Sequence, residues 1–241
     1  MPLYTLTNDI KTVQFQWMSH IASSQFYTWV QAAIWVAKKE NFVLFFEWVR
    51  PGSEENLEKF NQAIWVDFNP SLYENFSKLY WVTHQNNEDF LWILNDNDFN
   101  IDLDIDTIMS LYNKKIDKNS ISLEETNIEV PDVSTDIIEI LTEMSDKQLA
   151  IMRYINKSIL NFLIKHKSLR DAIISNFGNQ DLFAVILDDR NTHLVENINQ
   201  SEYNKIIVIY GLMHFEWVFD LLQSEDENWR IERIDYARLI Y

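Results

Sequence analysis

The stretch Lys205–Trp217, KIIVIYGLMHFEW, decides how the rest of the chain is read. Ile206–Tyr210 is an unbroken apolar run bounded by Asn204-Lys205 and Gly211, the pattern of a strand buried on both faces of a sheet. Gly211 interrupts it, and Phe215, Val218, Phe219 and Leu222 then recur at helical spacing. His214 stands at the joint, three residues after one of only three glycines in the chain. In open α/β sheets, ligands and reacting groups gather where strands end at their carboxyl edges. His214 is therefore predicted to belong to a small polar cluster at such an edge.

The front of the chain offers partners for it. Leu3–Leu6 and Thr12–Phe15 read as two strands of a hairpin with Asn8-Asp9 as the turn, and His20 closes QWMSH just after the second. Ser23-Ser24 can cap the next helix, whose Phe26, Val30, Ala33, Ile34 and Ala37 share one face. Phe42–Phe46, FVLFF, is the next buried strand and ends in Glu47. A parallel crossover over residues 11–49 brings His20 and Glu47 to the same sheet edge.

Pro51-Gly52 predicts a turn, with helices over Leu57–Ile64 and after Asn69-Pro70. Residues 86–106 are acidic and amide-rich. Asp102, Asp104 and Asp106 alternate with apolar residues at a spacing a metal loop can use. They lack the Gly turn and terminal Glu of a calcium loop, so they read as a solvated strand or helix entry. Lys114–Pro131 is predicted to be a mobile loop, and Thr135 to about Asn199 helical. Asp188-Asp189-Arg190-Asn191, taken alone, reads as an exposed helix face, and Trp229–Tyr241 as a half-buried edge strand.

A chain of 241 residues with 47% hydrophobic content can bury a substantial core, and the expected class is α/β, with mixed α+β as the variant: a central sheet with flanking helices. A formal charge of −17 disfavours nucleic acid and anionic membranes as partners, while an acidic patch can attract a cation. The absence of cysteine excludes disulfides and thiolate metal sites. No apolar run approaches the ~18 residues of a membrane span, and no secretory signal is apparent, so the expectation is a soluble cytoplasmic protein. Nine Trp against three Gly is close to the reverse of ordinary usage.

Four segments, in order along the chain, resemble the TraB/PrgY/GumN family: TVQFQWMSH with the helix after it, VLFFEWVRPG, the DDRN segment, and VIYGLMHFEWVFDLL. That family is grouped with Tiki-type peptidases and, more distantly, with erythromycin esterases and ChaN-like haem-binding proteins. The late G-x-x-H motif is intact as Gly211-Leu212-Met213-His214, and Arg190-Asn191 match the family's helical pair. His20 is kept in the early motif, but Trp17 stands where Gly is expected; Glu47 is kept, but Trp48 takes the next Gly position. Trp217 stands where the family often has Gly.

The resemblance implies one domain over residues 1–241, with a helical and loop insertion at about 53–199. It implies His20, Glu47 and His214 as ligands of a divalent metal (Mn, Co or Zn), with Glu47 also able to activate water. Arg190 would stabilise an oxyanion or substrate carboxylate, with Asn191 holding it or touching substrate. The implied activity is metal-dependent hydrolysis of peptides or another small molecule; the alternative is an inactive binding protein for a peptide or a haem-like ligand. The departures at Trp17, Trp48 and Trp217 have one explanation in common with the composition. UGA is read as glycine in some bacterial lineages but as Trp under a commonly applied code, and restoring all nine would bring glycine near its usual share of about 7%.

Overall fold

The computed structural model describes residues 1–19, 21–64, 83–84, 94–119, 144–152, 154–155, 182, 184–211 and 213–236. The chain divides into two compact units. The first comprises Met1–Pro51, Gln85–Asp104 and Val185–Tyr241; the second comprises Gly52–His84 and Ile105–Ala184.

The first unit is built on a sheet. Strands β1 (Pro2–Thr7) and β2 (Thr12–Met18) form the expected hairpin, with Leu3 opposite Gln16 and Thr7 opposite Thr12. Asp9 takes a left-handed φ of 70°, and Asn8 Oδ1 accepts from the N–H groups of Ile10 and Lys11 at 3.2 and 2.8 Å, a local closure suited to a short polar side chain. Helix α1 (Ser24–Lys39) starts at Ser23, whose Oγ accepts from the Phe26 N–H at 3.2 Å. Its buried stripe is Phe26, Tyr27, Val30, Ile34 and Ala37. Asn41, at φ 66°, turns the chain into β3 (Val43–Phe46).

Helices α2 (Glu54–Ile64) and α3 (Ile105–Asn119) belong to the second unit. In the first unit, strand β4 (Phe99–Asn100) is short and pairs in parallel with β3. After a π-helical turn, Val185–Asp189, come helix α4 (Arg190–Gln200), strand β5 (Lys205–Gly211), helix α5 (Phe215–Glu225) and strand β6 (Arg230–Tyr236).

The sheet runs β4-β3-β5-β2-β1-β6. β4, β3, β5 and β2 are parallel, and β1 is antiparallel to both β2 and β6, so the fold is α/β on a mixed sheet. β2 and β3 run the same way, as the crossover requires, but β5 lies between them: Val208 is opposite Phe15 on one side and Phe45 on the other. This placement explains the apolar run Ile206–Tyr210, every residue of which is buried. Helix α5 packs through Phe215, stacked on Tyr4 at 3.7 Å between ring centroids and edge-on to Phe15 at 5.2 Å.

β6 differs from the expectation of half-burial. Trp229 is buried, but most of Arg230–Tyr236 is exposed, because the strand pairs with β1 alone at the sheet edge and carries charge on Arg230, Glu232, Arg233 and Asp235.

In the second unit, α2 and α3 pack together. Asp106 Oδ1 accepts from the Ser53 N–H at 2.9 Å, Ser53 Oγ at 3.0 Å and Asn56 Nδ2 at 2.7 Å, tying the start of one helix to the start of the other. Residues 146–152 are also helical. α3 continues through Asn119, which replaces the first part of the loop expected over Lys114–Pro131; its remainder, and the helix expected after Asn69-Pro70, lie outside the described residues. Among the described residues, no helix is long and apolar enough to cross a membrane.

Candidate functional site

The parallel strands deliver their last residues to one edge, and the polar cluster forms there. Glu47 comes directly after β3, and its N–H donates to the Ile209 carbonyl at 3.0 Å, one more rung on β5. Gly211 ends β5, and its N–H donates to Glu47 Oε2. A Cβ on residue 211 would lie 3.2 Å from that oxygen and 3.4 Å from His214 Cδ2, so the close approach of Glu47 depends on glycine. The His214 N–H reaches the Gly211 carbonyl at 3.1 Å, and the His214 carbonyl accepts from Val218 at 2.9 Å, fixing the histidine at the start of α5.

Helix α4 supplies the other wall. Arg190 and Asn191 are buried, which corrects the reading of DDRN as an exposed face. In α4 they share the buried face with Leu194, Val195 and Ile198 at ordinary helical spacing, so it is their polarity, and not the helical period, that suggests exposure. Arg190 Nε donates to Asp102 Oδ1 at 2.7 Å and Nη2 to Asp102 Oδ2 at 2.8 Å, a bidentate pair. Nη2 also donates to Glu47 Oε1 at 2.5 Å. Asp102 is 2% exposed, so the solvated reading fails for it, while Asp106 does sit at an exposed helix entry. Tyr210 closes the floor: its hydroxyl lies 3.4 Å from Asp102 Oδ1, and its ring meets the His214 ring edge-on at 4.8 Å.

Of the expected site residues, the structure brings together Glu47, Arg190, Asn191 and His214; His20 lies outside the described residues. Asp102 was not among them. The signal that could have found it is the strand-edge rule, since FNIDLD places an aspartate just past β4 as Glu47 stands just past β3.

These contacts set the protonation states. Asn191 Oδ1 lies 2.7 Å from His214 Nδ1 and can only accept, so Nδ1 carries the proton and Nε2 is left with its lone pair. Burial lowers the His214 pKa to about 4, with Glu47 pulling upward and Arg190 downward, so the ring is neutral at pH 7. Burial pushes the Asp102 carboxyl up to about 6 against the pull of Arg190, leaving it mostly ionised at neutral pH. Burial opposes the charge on Arg190 too, but Glu47, Tyr210 and Asp102 outweigh it and hold its pKa above the ordinary value. With Glu47 as a carboxylate, two anions share one guanidinium and the cluster carries a net negative charge.

His214 Nε2 lies 3.9 Å from Glu47 Oε1, too far for a hydrogen bond. Two acceptor atoms thus lie close together at a buried site where two carboxylates share one guanidinium. Metal bonds of ~2.0–2.2 Å to imidazole and carboxylate can bridge such a gap, and this donor pair suits Mn, Co or Zn. Among the described residues no group of three His, Cys, Asp or Glu side chains is arranged around a metal position. The three tryptophans at motif positions differ in setting. Trp17 is buried, with no acceptor for its indole N–H among the described residues, whereas Trp48 and Trp217 are 44% and 47% exposed.

Comparison of the chain with protein-family models, curated proteins and solved structures finds no match.

Proposed function

We propose that the chain is a metal-dependent hydrolase of the TraB/Tiki type that cleaves peptides. The observation that carries the reading is the 3.9 Å separation of His214 Nε2 and Glu47 Oε1 at a buried site where two carboxylates share one guanidinium. Glu47 and His214 would hold the metal, with His20 as third ligand. When bound, the metal would supply Lewis-acid polarisation of the scissile carbonyl and of water.

The chain's own groups do the rest. Asn191 fixes the His214 tautomer, as partners on the far nitrogen of a ligating histidine do. The Gly211 N–H donates to Glu47 Oε2 and Arg190 Nη2 to Oε1, which holds the carboxylate in place for taking a proton from an attacking water. Arg190 makes its bonds through Nε and Nη2. Its remaining N–H groups are the donors proposed for a substrate oxyanion or carboxylate.

The test is metal uptake and peptide cleavage in His20→Ala, Glu47→Gln, Arg190→Met and His214→Ala. Cleavage is expected to fall by roughly 10²–10⁴-fold in each and to be lost on chelation; unchanged cleavage in all four discards the assignment. A second reading, a binding protein without turnover, is favoured by Trp17, whose bulk fills the carboxyl end of β2 where the family motif has glycine. Retention of a peptide or haem-like ligand, with no metal uptake and indifference to His20→Ala, would support it.

A further inference from the structure

We propose that Asp102 is a positioning residue: it holds the Nε–Nη2 edge of Arg190 and so keeps that guanidinium from neutralising Glu47 in full. The geometry is a contest for one cation. Nη2 donates to Glu47 Oε1 at 2.5 Å and to Asp102 Oδ2 at 2.8 Å, while Nε belongs to Asp102 alone at 2.7 Å. Asp102 is itself pinned. Its N–H donates to Asn100 Oδ1 at 3.1 Å, and its Oδ1 accepts from the Leu103 N–H at 2.9 Å. Asn100 Nδ2 in turn donates to the Trp48 carbonyl at 2.8 Å, so the loop carrying Asp102 is fastened to the residue after Glu47. The two carboxylates are therefore held at a set separation, with Arg190 between them.

The consequence is electrostatic. Were residue 102 neutral, Arg190 could turn its fork onto Glu47 and cancel its charge. With Asp102 ionised, the single charge of Arg190 is divided between two carboxylates. Asp102 thereby promotes cation binding without being a ligand. That consequence rests on the proposed metal-dependent function; the positioning of Arg190 does not.

The test uses the full chain and two readouts. In metal-free protein, the Arg190 Nε–H is expected to give a slowly exchanging NMR signal in the native protein and in Glu47→Gln, and to lose it in Asp102→Asn. In calorimetric titration with Mn²⁺, Co²⁺ or Zn²⁺ alone, Asp102→Asn is expected to weaken binding by about tenfold or more. Asp102→Glu should weaken it less, and Asp102→Asn should add little in an Arg190→Met background. Three results overturn the proposal: a protected Nε–H that survives in Asp102→Asn, metal affinity unchanged while thermal stability falls, or an equal loss of affinity with and without Arg190. If Asp102→Asn does not fold, Asp102→Glu decides, since an unshifted Nε–H signal and native metal affinity refute positioning. If the native protein takes up none of the three metals, the cation-binding consequence falls with the proposed function, while the Nε–H result still decides whether Asp102 positions Arg190.

Discussion

Gly211 is the position at which the site is least forgiving. Its φ lies outside the left-handed region, so what a side chain meets is tight space: a Cβ would stand 3.2 Å from Glu47 Oε2, and the carboxylate would have to give by a few tenths of an ångström. Gly211→Ala is expected to displace Glu47 from the Gly211 N–H, to weaken metal uptake about tenfold or more, and to cost about 1–3 kcal/mol in urea denaturation. Arg190 is the position with most to lose in stability, because its removal strands the buried Asp102 carboxylate. Arg190→Met should cost about 3–5 kcal/mol by the same measurement, and Arg190→Lys should recover little, since one ammonium cannot reproduce two parallel bonds. Trp17 raises a different question, with an indole N–H buried without an acceptor among the described residues, in the stretch where the motif calls for glycine. The gene is expected to carry UGA at codons 17, 48 and 217; UGG at these positions would establish tryptophan and strengthen the binding-protein reading.

Among the elements, Asp98 does the joining. Its Oδ1 accepts from the Leu44 N–H at 2.8 Å and pairs with Lys38, and its Oδ2 accepts from the Asn95 N–H at 2.9 Å. One fully buried carboxylate thus connects the end of α1, the start of β3 and the turn before β4. Asp98→Ala is expected to cost about 2–4 kcal/mol, with Asp98→Asn recovering part of it, because the alanine leaves a half-buried ammonium and two N–H groups without their acceptor. A change below about 0.5 kcal/mol, the usual size of a surface substitution, would refute this joining role. The elements legible in the sequence are those with a clear period or cap: β1, β2, α1, β3, α2, α4, β5, α5 and the edge strand β6. β4 was not, because two residues in a polar stretch show no alternation and owe their strand geometry to the edge of β3. Nor was the π-helical turn at Val185–Asp189, whose sequence VILDD carries no local mark of the extra residue.

Over the whole chain, the cluster gathers residues from all three segments of the first unit: Glu47 from the first, Asp102 from the second, and Arg190, Asn191 and His214 from the third. The hydrogen bonds that join them span 88, 143 and 164 residues of sequence. That distance explains what could be foreseen. Glu47 and His214 sit at the ends of strands visible by hydropathy, so the parallel fold made their convergence foreseeable. The burial of Arg190 depends on a carboxylate 88 residues away that no local pattern connects to it. The order β4-β3-β5-β2-β1-β6 has a bearing on biogenesis as well. Of the six strands described in this sheet, the one between β2 and β3 comes after both in the sequence, so β2 and β3 emerge with no strand between them and wait for residues 205–211. Such a long-range closure folds slowly and leaves apolar edges open in nascent chains. A chain truncated after Asn204 is expected to aggregate and to unfold without cooperativity, and the complete chain to depend on chaperones until β5 has been inserted.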